Sequence, residues 1–285
     1  MNSLIDIRTA LLLNAVVGLI FCLYMVHIYR TRPTYPGFLQ WTIASLFVFS
    51  TMALIYLRDT IPDWASVAVS NALGLASMAL IARGLAHFLG RTMSRWWLSL
   101  PVLTAIVSSV VFTYQYPDVR ARIIAISILM LLPLIQAIAL ARSAPASLPG
   151  LSVGWIVASL GGMMLWLTAR IVLTFLFEDE RHDFFSSSVV QGVFLVCYSA
   201  GNIAILLGLL VLHSQRTEGD LKQALDEVRT LRGVIPICAA CKKIRDDRGA
   251  WNQLEAYISR HSEAEFTHGY CPDCSRHLLD TLPEI

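Results

Sequence analysis

Residues 120–141 read RARIIAISILMLLPLIQAIALA, and beyond the two arginines at its start this stretch carries no charged residue. A helix needs about 20 mostly apolar residues to cross the hydrocarbon core of a bilayer. Pro133 lies inside the stretch, but a membrane helix tolerates proline because neighbouring groups satisfy the freed backbone atoms. The stretch therefore predicts a transmembrane helix.

Six further stretches of similar character predict six more transmembrane helices, over residues 9–29, 37–57, 64–87, 96–116, 151–177 and 187–213. The breaks between them are short and carry charged or turn-forming residues. The first stretch is not a cleaved signal peptide, because its apolar run exceeds about 15 residues and no small-residue cleavage site follows it. We expect an α-class fold built on a bundle of seven transmembrane helices.

The distribution of charge divides the chain near His213. Over the whole chain 56% of residues are hydrophobic and 15% are charged, against about 45–50% and about 25% in a typical soluble domain. Residues 1–213 contain 12 Arg, 8 Asp or Glu and no Lys, whereas the last 72 residues contain 22 charged residues. We therefore expect a seven-helix membrane domain at 1–213, a linker helix at 214–235 and a soluble module at 236–285.

Seven spans place the two termini on opposite sides of the membrane. With the N-terminus outside, seven Arg lie on the inner side and five on the outer side. Cytoplasmic loops are enriched in Lys and Arg. We therefore expect a multi-pass membrane protein with its N-terminus on the outer side and its C-terminus in the cytoplasm.

Residue types that are absent from the membrane domain exclude two classes of protein. Without Lys there can be no retinal Schiff base, so the seven helices are not those of a light-driven rhodopsin. No Asp or Glu lies inside any predicted span, which argues against an ion pathway built on buried carboxylates.

Apart from the two arginines at the start of the 120–141 span, two arginines lie within the predicted spans, Arg83 and Arg170. An ionisable side chain in the membrane marks a functional site by default, but a long Arg can also reach the interface or bond a neighbouring helix. Arg83 lies near the inner end of its span and suits the structural role. For Arg170, which lies deeper and near the acidic loop at 178–183, both roles stay open: an intramembrane ligand or polar site, or a structural contact.

The linker carries an apolar repeat at spacings of three and four, formed by Leu221, Ala224, Val228, Leu231 and Ile235. This pattern is that of a coiled-coil seam of about two heptads. So short a helix is only marginally stable by itself in water, but the membrane helix before it raises its local concentration. Residues 221–235 predict either a parallel homodimer seam that passes a movement of the seventh helix to the tail, or an amphipathic helix packed on the following domain.

The tail contains two Cys-x-x-Cys pairs, Cys238 with Cys241 and Cys271 with Cys274, with 29 residues between the pairs. Two residues between thiols let both sulfurs of a tight turn face one metal ion, and four thiolates complete the tetrahedron that zinc prefers. A closed set of four ligands leaves no open position for catalysis. The spacing therefore predicts one structural zinc ion held by these four cysteines.

The residues around the cysteines fit a small zinc-ribbon or treble-clef-like module. His268 precedes the second pair, and with four cysteines present we expect it to support a ligating thiolate rather than replace one. A helical face is predicted from Trp251, Leu254, Tyr257, Ile258 and His261. A tight turn is predicted over 246–249, and Pro272 suits the first turn of a second helix.

Two segments resemble parts of bacterial signalling proteins. LRGVIPICAACKKIRDDRGAWNQLEAYI (231–258) and FTHGYCPDC (266–274) resemble a C-terminal module that follows receiver, PAS or membrane sensor domains. ARGLAHFLGR (82–91) is similar to the multi-span sensor modules that precede diguanylate cyclase domains. The Gly-Gly-Asp/Glu-Glu-Phe signature of the cyclase does not occur here, nor do kinase signatures. The resemblance implies a sensor of a bacterial inner membrane, with a periplasmic N-terminus and a cytoplasmic C-terminus, and without an attached output enzyme.

These patterns together predict a sensory protein that relays a membrane or periplasmic signal through the linker to a cytoplasmic zinc module, which contacts a signalling partner. The alternative is a small-ligand membrane binding protein or transporter with a regulatory metal-binding tail. No set of catalytic residues is visible, so we do not expect an enzyme. The net charge of +2 and the lack of a basic stripe argue against nucleic acid as a partner.

Overall fold

Helices account for most of the chain. The computed structural model describes residues 7–94, 96–143, 153–177, 189–233, 236–246, 248–261 and 265–280. Seven of the described helices are long and apolar enough to cross a membrane. This confirms the seven predicted membrane-length helices, which are typical of a multi-pass membrane protein.

The bounds of the seven helices lie within a few residues of the predicted spans, except at the end of the last one. They are α1 Ile7–Thr31, α2 Phe38–Tyr56, α3 Trp64–Phe88, α4 Trp96–Gln115, α5 Val119–Arg142, α6 Gly154–Phe177 and α7 Val189–Gly233. Helix α3 opens with a π-helical turn over Trp64–Val69, and α4 closes with one over Val111–Gln115. Pro133 lies inside α5, as predicted.

Helices α2 and α3 approach each other closely at two glycines. Gly37 precedes α2 with φ of 102°, and a Cβ on it would lie 2.1 Å from the carbonyl oxygen of Gly84. Trp41 packs over Gly84, is fully buried, and donates from Nε1 to the carbonyl oxygen of Ile81 at 3.3 Å. Small residues at such crossings let two membrane helices pack backbone against backbone.

Helix α7 does not end at His213 but continues as one helix to Gly233. The chain divides into two compact units, Met1–Asp220 and Leu221–Ile285, so the division falls inside α7. Leu221, the first residue of the predicted seam, is 60% exposed. The side chains of Val228 and Leu231, and the whole of Ile235, lie outside the described residues, so the homodimer seam stays a prediction.

The second unit contains a small β-hairpin and two short helices. Strands β1 (Ile244–Arg245) and β2 (Trp251–Asn252) pair antiparallel, and α8 (Leu254–His261) and α9 (Pro272–Asp280) follow. Pro272 begins α9, as predicted. Within the described side chains of this unit, Ile244 is the hydrophobic residue that is fully buried.

The prediction that Trp251 shares a helical face with Leu254 is wrong. Trp251 lies in β2, opposite Arg245 of β1, and the helix begins only at Leu254. The reason is the turn before it, where the carboxylate of Asp246 accepts hydrogen bonds from the backbone N–H groups of Arg248 and Ala250 at 3.0 and 2.8 Å. These bonds fold the chain back on itself, so the residues that follow pair with β1 instead of starting a helix.

Candidate functional site

The first Cys-x-x-Cys pair lies in a tight turn that leads into the hairpin. The backbone N–H of Cys238 donates to the carbonyl oxygen of Lys243 at 2.8 Å, and that of Lys242 donates to the carbonyl oxygen of Cys238 at 3.0 Å. Lys242 takes the left-handed conformation, with φ of 58°, which closes the turn. Ile237 and Ile244 form a β-bridge at its base. This geometry brings Cys238 and Cys241 to the same side of one turn.

The second pair lies at the beginning of α9. Cys271 immediately precedes the helix and Cys274 lies in its first turn, where the backbone N–H of Cys274 points at the Sγ of Cys271 with an N-to-S distance of 3.5 Å. The N-terminus of a helix carries partial positive charge, which stabilises a thiolate nearby. Pro272 suits this position because it has no N–H to leave unsatisfied.

In both pairs the backbone favours the thiolate form of the leading cysteine. The N–H groups of Cys241 and Ala240 lower the pKa of Cys238 below its ordinary value. The N–H of Cys274, the Cys274 side chain and the N–H of Asp273 do the same for the pKa of Cys271. The thiolate is the form that binds metal. We call each pair a half-site of the predicted zinc site.

The two half-sites are not gathered into one metal site in the part of the chain that the structure describes. Among the described residues no three side chains of His, Cys, Asp or Glu are close enough to hold a metal ion together. His268 is exposed and is not gathered with the thiols. All six cysteines of the chain lie in its described part, and all are free thiols. The four-cysteine zinc site, with His268 beside it, stays a prediction.

Arg170, the candidate for an intramembrane ligand site, lies on an aromatic row between α6 and α7. Its guanidinium carbon is 3.4 Å from the centroid of the Phe194 ring. Phe194 stacks with Trp166 at 6.4 Å and with Tyr198 at 5.4 Å between ring centroids. A guanidinium over a ring face is a cation–π contact. Arg170 therefore makes a structural contact. The acidic loop at 178–183, near which a ligand role was expected, lies outside the described residues.

Two basic residues near the α2–α3 loop were not singled out from the sequence. Arg122 of α5 is only 9% exposed and donates from Nη1 to the hydroxyl of Thr113 at 2.9 Å. Burial, reinforced by the nearby charge of Arg122, lowers the pKa of Arg58 to about 10. Asp63 partly offsets both charges. Their position in a loop and at the start of a helix gave no sign of burial.

A further cluster, also unforeseen, holds α7 at the end of the bundle where α1 passes into α2. We call Tyr35, Phe88, Arg216 and Asp220 the α7 clamp. The guanidinium carbon of Arg216 lies 4.3 Å from the Tyr35 ring centroid and 5.1 Å from that of Phe88, and its Nη1 donates to the Phe88 carbonyl oxygen at 2.6 Å. The Tyr35 hydroxyl donates to the Asp220 carboxylate at 2.6 Å.

The surroundings of Tyr35 favour the protonated form of its hydroxyl, which the clamp requires. Burial, together with the hydrogen bond to Asp220, raises the pKa of Tyr35 above its ordinary value. The ring of His213, one turn before Arg216, packs edge-on against Tyr35 and Phe38, with centroids 5.3 and 4.9 Å apart. The clamp thus joins one face of α7 to the α1–α2 loop and to the end of α3.

No family model, curated protein or solved structure matches the chain.

Proposed function

We propose that this is a bacterial inner-membrane sensory protein that acts by contact rather than by catalysis. In it, α7 relays a signal received by the bundle to a cytoplasmic zinc module, which binds a signalling partner. The observation that carries the proposal is the continuity of α7, which runs without a break from Val189 to Gly233. A continuous helix transmits rotation or translation along its length, whereas a flexible loop at residue 214 would not.

The α7 clamp supports a relay because its contacts depend on the rotation of α7. Arg216 and Asp220 are four residues apart and so lie on one helical face, where both meet Tyr35. A small rotation of α7 would separate both pairs at once. Interfaces of this kind tend to have two discrete arrangements rather than a continuum, which is the property a switch needs.

The composition of the second unit supports a structural zinc ion. Ile244 is the fully buried hydrophobic residue among the described side chains of this unit, so its described part has little core. Domains of this size need a metal, disulfides or a partner to offset chain entropy. The cysteines are free thiols, as the reducing cytoplasm would keep them. A zinc ion across the two half-sites would supply the missing stability.

Hydrogen exchange on the full chain in nanodiscs tests the relay. Arg216→Ala removes the centre of the clamp. The matched control is Arg91→Ala, because the side-chain hydrogen bonds of Arg91 to described residues go to Ser143 rather than to α7. They run through Nη1 at 2.7 Å to the hydroxyl and through Nη2 at 2.6 Å to the carbonyl oxygen. We expect Arg216→Ala to change amide exchange in α8 and α9 at least about twofold, and Arg91→Ala to leave it unchanged.

Two results would contradict the relay. Exchange that changes in α7 near residue 216 but not in α8 or α9 would mean that α7 does not couple the two units. An equal change in both variants would mean that the tail responds to any loss of stability in the bundle. Arg216→Lys provides a graded test, since lysine keeps the charge but loses the planar stacking on Tyr35.

A further inference from the structure

Helix α3 is enclosed by the bundle along most of its length, but its last turns present two polar side chains to the outside. Arg83 and His87 are only half-buried. They lie four residues apart and therefore on one face of the helix. Their neighbours on α3 are at most 1% exposed: Ala82, Leu85, Ala86 and Phe88. We call Arg83 and His87 the α3 polar strip.

The Arg83 guanidinium is not paired with any described residue. It makes no hydrogen bond and no ion pair with the described part of the chain, and its Nε is enclosed. Nη1 and Nη2 are not enclosed, so both open to the outside of the bundle. Neither α2 nor α3 contains an acidic residue that could neutralise the charge. Because a charge within a membrane span is costly unless it is paired, the strip suits an anion from outside the protein.

His87 adds a second hydrogen-bond donor one turn along the strip. The Nε2 of Gln40 in α2 lies 3.0 Å from the Nδ1 of His87. An amide nitrogen only donates, so Nδ1 of the neutral ring accepts and the ring proton is on Nε2. His87 Nε2 is not enclosed and is free to donate outward. A guanidinium and a ring N–H on one face are donors that suit the oxygens of a phosphate.

Apolar side chains continue from the strip toward the middle of the membrane. On α3, Leu80 precedes Arg83 by three residues, and on α2, Ile43 and Phe47 follow Gln40 by three and seven residues. All three apolar side chains are half-buried, so part of each can contact a lipid chain. The surface therefore has charged donors near the end of the helix and apolar contacts deeper in the span, which matches the polarity of a phospholipid.

We propose that Arg83 and His87 bind the headgroup phosphate of an anionic phospholipid, with an acyl chain along Leu80, Ile43 and Phe47. Basic sites between membrane helices on the cytoplasmic side bind such headgroups. A zwitterionic lipid suits the site less well, because its cationic headgroup would be repelled by Arg83 and would find no acidic residue on α2 or α3. The binding does not depend on the proposed relay.

Native mass spectrometry of the full chain in detergent tests the binding. The probes are dioleoylphosphatidylglycerol and dioleoylphosphatidylcholine at equal concentration, which share their acyl chains and differ in the headgroup. We expect the first phosphatidylglycerol to bind about five- to tenfold more tightly than phosphatidylcholine, as one charge-assisted hydrogen bond allows. Glycerol phosphate in large excess should not displace it, because the soluble headgroup lacks the acyl chains.

Variants assign this preference to the strip. Arg83→Gln should abolish the advantage of phosphatidylglycerol, and Arg83→Lys should keep only part of it, because lysine retains the charge but loses the planar fork. The matched control is Arg32→Gln, which removes the same charge from an exposed position in the α1–α2 loop at the same end of the bundle. It should leave the advantage intact. Gel filtration shows which variants are folded.

Four outcomes would overturn the site. The first is equal binding of the two lipids by the unaltered protein. The second is a preference that survives Arg83→Gln, and the third is an equal loss in Arg32→Gln, as expected if only the overall surface charge matters. The fourth is displacement by glycerol phosphate, which would make a soluble phosphate ester the ligand. None of these readouts involves the tail, so failure of the relay in hydrogen exchange and failure of the lipid site are separate results.

Discussion

At the scale of single residues, Gly84 shows how closely the α2–α3 pair is packed. A Cβ built on Gly84 would lie 2.4 Å from Nε1 of Trp41 and 2.9 Å from the carbonyl oxygen of Gly37. Neither neighbour can give way easily, because Trp41 is fully buried and the other atom belongs to the backbone. One methyl group at this position would therefore separate the two helices.

We expect Gly84→Ala to destabilise the bundle by about 1–3 kcal/mol, the usual cost of overpacking a core. The matched control is Gly161→Ala, a helical glycine of α6 at which an added Cβ would meet nothing within 4 Å among the described residues. The control should leave stability unchanged or slightly higher, because alanine favours helix. The measurement is the fraction of protein in the folded gel-filtration peak after heating in detergent. Equal losses in both variants would contradict the close approach.

Arg170→Ala should impair the protein more than Arg83→Ala. Arg170 stacks on Phe194, and a desolvated cation–π contact contributes about 0.5–2 kcal/mol. Arg83 makes no such contact with an aromatic ring among the described residues, so its removal should lose less. The measurements are the midpoint of thermal unfolding and, where a signalling assay exists, the response at equal expression. Equal, near-neutral effects would show that the Arg170 stack contributes little.

At the scale of elements, the hairpin turn depends on one carboxylate. Asp246 accepts from the backbone N–H groups of Arg248 and Ala250, and its Oδ2 accepts from Nδ2 of Asn252 at 2.8 Å. The hydrogen bond from the Ala250 N–H is the main cause that lowers the pKa of Asp246 below its ordinary value. The turn, and with it the placement of Trp251 in β2, is held by the charged form.

Because folding lowers the pKa of Asp246, its carboxylate stabilises the hairpin above the unfolded pKa of about 3.9, and this contribution is lost as the pH falls through the folded pKa. We expect the Asp246 carboxyl carbon to titrate below about pH 3.9 in an NMR titration. Asn252→Ala should raise the midpoint by removing one donor. A midpoint at or above the ordinary value would mean that the hydrogen bonds do not favour the charged form.

The two cysteine half-sites lead to a metal prediction for the tail. Residues 236–285 should bind one zinc through Cys238, Cys241, Cys271 and Cys274, and should unfold when a chelator removes it. Structural zinc contributes about 10–16 kcal/mol of apparent binding energy in finger peptides, far above the few kcal/mol that so small a core supplies. Metal analysis and the dispersion of amide resonances measure both effects.

Single substitutions distinguish the four predicted zinc ligands from the neighbouring His268. Replacing any one of the four cysteines by Ser should unfold the tail, whereas His268→Ala should leave zinc bound with at most a modest loss of stability. If the metal-free tail stayed folded, zinc would not be required for its folding. Normal zinc binding by Cys274→Ser together with loss in His268→Ala would replace the four-cysteine set by three cysteines and a histidine.

At the scale of the whole molecule, the orientation in the membrane follows from the spans and the arginines. Seven crossings would put the termini on opposite sides, and the excess of Arg on one side predicts that this side is cytoplasmic. A reporter fused after Ile285 should therefore be cytoplasmic, and one fused before Met1 periplasmic. A periplasmic reporter at the C-terminus would reverse the orientation and place the thiols of the tail in an oxidising compartment.

Local properties of the chain were sufficient to predict the seven membrane helices and the start of α9. A span depends on the length and apolarity of one continuous segment, and a proline at a helix N-terminus acts through its own backbone. The hairpin escaped prediction because Trp251 and the residues of α8 satisfy a helical period equally well. A turn excluded Trp251 from the helix. The hydrogen bonds of that turn cannot be recognised from the spacing of apolar residues.

The sequence by itself determined that this is a multi-pass helical protein without lysine or acidic residues in its spans, and that its tail carries two dithiol pairs. Only the tertiary structure decided which side chains meet. Tyr35 and Asp220 are 185 positions apart, yet one donates to the other. Arg216 and Phe88 are 128 positions apart, yet the guanidinium of one donates to the carbonyl oxygen of the other. Such pairings depend on how helices far apart in the chain pack together. The composition of an apolar span does not specify which other helices it packs against.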